Sequence, residues 1–281
     1  AQYRQRDPND LLFARRTLVH FAVDPDRAFV TTRLKGPDTE FLPFNVGSAG
    51  PGKAGGAGNP NVVRGNDYSV SYLWHDIWQR DNWLQILQQY LHVEAADKKA
   101  GKVNPHTSAR IFPRFHQWHA VQQMAAHARE HKAGHNYLIE HSAESGKSNT
   151  IAWLAYRLSS LFADDNQPVF NKVIVITDRQ LQRTIFQFDH TPGVVKRIDE
   201  DSAQLADALE DATSKIVIST LQKYPYVLDK LTSTSLNDRG YAVIIDEAHS
   251  SQGGDAASRL KQALGASAAP PDGRAPFGTT R

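Results

Sequence analysis

The 281-residue sequence predicts an α/β fold built on a parallel sheet, with a smaller α+β segment ahead of it. Three observations carry that prediction. Short runs rich in valine and isoleucine recur at residues 173–176, 216–218 and 243–245, separated by helical or loop stretches. Continuous apolar strands alternating with helices are the pattern of a parallel sheet covered on both faces. A Ser-Gly-Lys-Ser turn at 145–148 opens a helical stretch, and the run 243–245 ends in two acids, Asp246 and Glu247.

Taken in order, β-rich runs at 18–23 and 28–34 flank the turn residues Asp24, Pro25 and Asp26, which predicts a hairpin. The stretch GSAGPGKAGGAGNPN at 47–61 is too rich in glycine and proline to hold regular structure, so residues 47–66 are expected to act as a linker. Tyr72, Leu73, Ile77, Trp78, Leu84, Leu87 and Leu91 fall at near-helical spacing and predict one or two amphipathic helices in a connector over 67–105. Trp74, Trp78 and Trp83 within it are read as packing residues rather than a base-stacking platform. From 106 onward the pattern becomes that of the main domain. A helix over 117–130 precedes a first short strand at 137–139, and a second helix covers 148–162 before the three remaining strands.

Composition excludes more than it selects. The chain has no cysteine, which removes a disulfide scaffold, a thiolate metal site and a cysteine nucleophile, and fits a reducing compartment such as the cytoplasm. A net charge of +2 argues neither for nor against nucleic acid, so any such contact must come from local placement of charge. No apolar run approaches the roughly 18 residues of a membrane span. The opening AQYRQRDPND is polar, resembles no signal peptide and has no initiator methionine, so the chain is expected to be a fragment.

The segment HSAESGKSNTIAW at 141–153 carries the phosphate chemistry. In a loop that ends Ser145, Gly146, Lys147, Ser148 and runs into a helix, backbone amides wrap the phosphates. The lysine reaches the β and γ phosphates, and the serine hydroxyl ligates Mg²⁺. The helix aims its positive end at the same anion. The loop departs from the usual pattern at two places: His141 stands at its first glycine, and Glu144 stands where a further glycine is common. Asp246 is expected to hold Mg²⁺, usually through water, and Glu247 to orient and deprotonate the attacking water. A strand end of this kind lies where ligands bind in open α/β sheets.

The combination of SGKS with the segment AVIIDEAH at 242–249 resembles superfamily 2 helicases and translocases. The fuller likeness is to the R (restriction, motor) subunit of type I restriction enzymes. IFPRFHQWHAV at 111–121 resembles that family's adenine-recognition segment, with Gln117 reading the base. VIVITDRQLQ at 173–182 and IVISTLQKYP at 216–225 resemble its DNA-contacting segments, which implies that Arg179, Thr220, Gln222 and Lys223 lie along the DNA path. HFAVDPDRAFVTTRLKGPDTEFLPFN resembles the end of the family's nuclease domain, so residues 1–46 would be its remnant. The resemblance thus implies a RecA-like, phosphate-loop first motor domain over 106–281, incomplete at its C-terminal end. It implies a DNA-dependent ATPase and a type I site-specific deoxyribonuclease subunit using ATP and Mg²⁺. Duplex DNA and the modification (methyltransferase) and specificity subunits would be its partners. Without the second motor domain and its arginine finger, the chain alone is expected to bind nucleotide but not to translocate.

Two other readings compete. His127, Glu130 and His131 spell H-x-x-E-H, a zinc-peptidase signature, although the stretch around it, AAHAREHKAGH, reads as a solvated helix. Alternatively, the chain is a non-catalytic nucleic-acid-binding remnant, as Glu144 would suggest. His116 and His119, beside Gln117, are read as local packing or hydrogen-bonding residues.

Overall fold

The computed structural model describes residues 6–7, 9–49, 61–62, 65–93, 110–142, 145–177, 179–188, 193–198, 204, 207–209, 211–220 and 240–246. Among these, the residues up to Ala120 together with Ile139–Ser145 form one unit, and Val121–Leu138 together with those from Gly146 onward form another.

The first unit holds the hairpin. Strands β1 (His20–Val23) and β2 (Ala28–Thr31) pair antiparallel, and β3 (Leu42–Pro43) adds to β2. Asp24 makes the turn, its Oδ1 accepting from the amides of Asp26 at 2.9 Å and Arg27 at 2.7 Å, the local hydrogen bonding that suits aspartate to tight turns. Buried Asn45 and Asn61 brace the neighbouring backbone: Asn45 Oδ1 accepts from Ala28 N at 2.8 Å, and Asn61 Oδ1 from Val46 N at 2.7 Å. A second small sheet pairs β4 (His92–Val93) with β5 (Arg110–Ile111).

The periodic stretch around residue 80 is helical but broken. A π turn at Leu73–Ile77 leads to α1 (Arg80–Gln85), which runs into a second π turn at Ile86–Tyr90. Its apolar side closes an aromatic core. Phe21 meets Phe44, Trp78 and Phe112 edge-on, with ring centroids 5.6, 5.5 and 5.9 Å away. Trp83, half-buried, also lies against Phe21, and Trp74, half-buried, against the exposed Tyr68, while Trp78 keeps 38% of its surface exposed. Such edge-to-face pairs add stability beyond the apolar area they bury. The linker is described only at its margins, and the small basic cluster Lys98, Lys99 and Lys102, which the sequence sets after the amphipathic stretch as a solvated face by default, lies outside the described residues. Helix α2 (Phe115–His131) begins in this unit.

The second unit is the parallel sheet. Strands β6 (Lys172–Ile176), β7 (Val195–Arg197), β8 (Ile216–Ser219) and β9 (Tyr241–Ile245) lie in the order β7-β8-β6-β9, every pairing parallel. Each residue of β6 and β8 is buried, which is why these two strands read as unbroken Val/Ile runs. Helix α3 (Lys147–Ser159) buries Ile151, Trp153, Leu154 and Leu158, and α4 (Arg179–Gln187) follows β6. The core gathers Ile174, Ile176, Ile198, Leu209 and Val217, with Val243 and Ile245 packed against it. Lys172 enters the sheet buried, its ammonium donating to the carbonyls of Asp211 and Ser214, so the 211–214 turn supplies the acceptors that burial of a charge requires. This mixed α/β architecture with a parallel sheet is compatible with a RecA-like ATPase domain.

One predicted strand is missing. Residues 137–139 form no strand among the described residues, and Leu138 is 54% exposed. Tyr137 and Ile139 are only half-buried and Leu138 is exposed, so the run is not covered on both faces as a strand inside a parallel sheet is.

Candidate nucleotide-binding site

The site grows from the pairing of β6 with β9. Their register sets Ile176 beside Ile245, and Asp246 N donates to Ile176 O at 3.0 Å, so the alignment continues past the last strand residue. Thr177 and Asp246 therefore stand together at the carboxyl edge of the sheet, with Thr177 Oγ1 donating to Asp246 Oδ2 at 3.4 Å. The first residue of α3 comes to the same carboxylate, placing Lys147 Nζ 3.2 Å from Asp246 Oδ1. The aspartate side chain is 10% exposed and the lysine 41%, so the acid is the more enclosed partner. Ser148 follows Lys147 in the same first turn and is half-buried.

Gly146 makes this helix start possible. It is the N-cap of α3 at φ 83° and ψ 33°, the left-handed region that glycine enters without steric cost. Gly146→Ala is expected to lower stability by roughly 1–2 kcal/mol. Thermal unfolding of the variant would show it, and an unchanged midpoint would contradict it.

In the first unit, Gln117 is held by the start of α2. Its Oε1 accepts from Arg114 N at 2.8 Å, the reach-back that a glutamine at the third helical position makes to the N-cap amide. Its Nε2 donates to Ser145 O at 3.3 Å, and the residue is 3% exposed. His116 Nε2 donates to the same carbonyl at 3.2 Å, and His141 Nδ1 lies 3.3 Å from Ser145 Oγ. Burial pushes the His116 imidazole below its ordinary pKa, against the opposing pull of its bond to Ser145. His119 stacks on Phe115 with centroids 5.7 Å apart, and burial lowers its pKa as well; it packs, as read from the sequence.

Of the remaining expected residues, Arg179 opens α4 and Thr220 directly follows β8, both at the carboxyl edge of the sheet. Glu144, Gln222, Lys223 and Glu247 lie outside the described residues. Thr177 was not legible as a site residue, because a threonine after a strand gains meaning only from the neighbour that the sheet register gives it.

The H-x-x-E-H segment behaves otherwise than a zinc site. The rings of His127 and His131 stack 4.0 Å apart at an interplanar angle of 10°. His127 Nδ1 lies 2.7 Å from the Tyr137 hydroxyl. Among the described residues no three His, Cys, Asp or Glu side chains could together hold a metal ion. Burial and the neighbouring His131 and His135 lower the His127 pKa. No helix among the described residues is long and apolar enough to cross a membrane.

A lysine delivered by a glycine-capped helix to an aspartate at the edge of a parallel sheet is the framework of a phosphate-loop nucleoside triphosphatase, in which the two charges serve polyphosphate and metal. Comparison with known families narrows the class. The chain belongs to the SWI2/SNF2 ATPase family, whose model matches residues 116–269, more than half of its length. It is thus a helicase-like ATPase of superfamily 2, an ATP-hydrolysing enzyme of a kind that suggests dependence on nucleic acid. Comparison with curated proteins gives no match.

Proposed function

We propose that the chain is the ATP-binding part of the restriction and motor subunit of a type I restriction–modification system, where ATP hydrolysis drives DNA translocation coupled to cleavage. The observation that carries the ATP chemistry is the meeting of Lys147 with Asp246. An Mg-bound nucleotide would exchange this ion pair for two others, ammonium to phosphate and carboxylate to metal. The donor set fits the ion, because Ser148 and Asp246 offer the hard oxygens that Mg²⁺ prefers. Mg²⁺ would neutralise the polyphosphate. Lys147 binds and orients the phosphates, Ser145 and Gly146 line the loop, Glu247 orients the attacking water, and Gln117 reads the adenine.

The assignment to the restriction subunit is supported by the segments at 111–121, 173–182 and 216–225. Arg179, Thr220, Gln222 and Lys223 lie along the DNA in this reading, and the modification and specificity subunits are the partners. The test is ATP turnover with no nucleic acid, with duplex DNA, with single-stranded DNA and with RNA, beside co-purification with a modification–specificity pair. Duplex DNA is expected to raise turnover severalfold, and the gain should shrink as salt rises, since phosphate contacts release counterions. Equal turnover with and without DNA would sink the motor reading. Stimulation by RNA alone, or no association with the paired subunits, would remove the restriction assignment.

A further inference from the structure

We infer that His116 and His141 are positioning residues of the phosphate loop, His116 fixing the Ser145 carbonyl alongside Gln117 and His141 holding the Ser145 hydroxyl. This rests on the nucleotide-binding reading above. The peptide bond between Ser145 and Gly146 is the element they act on. A trans peptide is planar, so its C=O and the following N–H point in opposite directions. Two donors converge on the Ser145 carbonyl, His116 Nε2 at 3.2 Å and Gln117 Nε2 at 3.3 Å. Together they fix the orientation of that peptide plane, and with it the direction of the Gly146 N–H. In a phosphate loop the directions of the amides are what make the anion site.

His141 acts on the same residue from the other end of the loop. It occupies the position of the first glycine of the pattern, and its side chain supplies what glycine could not. His141 Nδ1 lies 3.3 Å from Ser145 Oγ, and its ring meets His116 edge-on with centroids 5.4 Å apart and planes at 63°. Ser145 is 8% exposed, so its hydroxyl and carbonyl are both held inside the protein. The departure at His141 is therefore a substitution of contacts rather than a plain loss: backbone freedom is exchanged for a side-chain brace. The chemistry also fixes a tautomer. A carbonyl only accepts, so His116 must carry a proton on Nε2. Burial favours the neutral ring, so that proton is the one it keeps.

The two rings use different nitrogens, which makes the proposal testable by exchange. A glutamine amide approximates the Nε2 position of histidine, and an asparagine amide approximates Nδ1. In binding titrations of a fluorescent ATP analogue with Mg²⁺, H116Q and H141N are expected to stay within about twofold of the parent. H116N and H141Q should bind about five- to tenfold more weakly, the loss of roughly one buried hydrogen bond. Equal losses for both amides at each position, following thermal stability, would reduce the histidines to packing and overturn the inference. A second measurement needs no nucleotide. Imidazole nitrogen NMR is expected to show His116 protonated at Nε2, and protonation at Nδ1 would overturn the inference by itself. If the parent chain fails to bind the analogue while His116 shows the Nε2 tautomer, the nucleotide reading falls and the brace on Ser145 stands.

Discussion

Replacing Lys147 with alanine is expected to reduce ATP turnover by about 10²-fold or more and to weaken Mg–ATP binding. The reason is geometric as well as electrostatic. Phosphoryl transfer asks the protein mainly for positioning and charge neutralisation, and Lys147 is the cation that the start of α3 presents to the carboxyl edge of the sheet. Lys147→Arg should rescue poorly, because a planar fork does not replace a compact ammonium at 3.2 Å from Asp246. The alanine variant also leaves the enclosed Asp246 carboxylate, 10% exposed, without this countercharge. Removing both partners, in Lys147→Ala with Asp246→Ala, should therefore destabilise less than the sum of the single changes, since no enclosed charge is left behind. Turnover, calorimetric nucleotide binding and thermal unfolding on the four proteins of this cycle check the prediction. A Lys147→Ala protein that turns over within threefold of the parent would remove the lysine from the phosphate site.

How much of this was legible in advance follows from how local each feature is. The runs at 173–176 and 216–218 announced β6 and β8 because a parallel strand covered on both faces leaves a continuous apolar signature, and the run at 243–245 announced β9 by the same pattern although only Ala242 of that strand is buried. Strand β7, Val195–Arg197, left none: its three residues are Val, Lys and Arg, so there is no apolar run to read. The opposite error came at 137–139, where an apolar run as short as that of β8 stays half-exposed and forms no strand, because what covers a strand is set by its neighbours and not by its own residues. The helix start at Lys147 and the acid at Asp246 were readable, because each is a short-range pattern of residue types. Their meeting is not, since it depends on the pairing of β6 with β9 across a long stretch of chain. The same holds for Thr177 beside Asp246 and for His116 beside Ser145, whose partners lie 69 and 29 residues away. The family match supports the ATPase that these patterns indicate; the restriction assignment rests on the finer resemblance of whole segments.

Ile174→Ala is expected to cost about 2–5 kcal/mol of stability, a larger loss than Gly146→Ala causes. Ile174 is the middle residue of β6, fully buried, with Val217 of β8 on one side and Val243 of β9 on the other. It packs in the core with Ile176, Ile198 and Leu209, and close packing leaves little room for the site to collapse around a truncated side chain. Against the roughly 5–15 kcal/mol that holds a typical domain together, the loss lowers the unfolding midpoint by on the order of 10 °C. Ile174→Val, which removes one methyl group, should cost about 0.5–1.5 kcal/mol and serves as the graded control. Both can be read by denaturant unfolding, and a loss below about 1 kcal/mol for the alanine variant would mean that β6 is not the centre of the core. The comparison with Lys147 separates scaffold from chemistry. Ile174 lies inside the sheet and Lys147 at its edge, so well below its transition the alanine variant at 174 should still bind Mg–ATP within about twofold of the parent, since distant sites without shared partners act independently. If nucleotide affinity instead falls in step with stability, β6 transmits strain to Thr177 and Asp246, and the carboxyl edge is not the rigid platform its register describes.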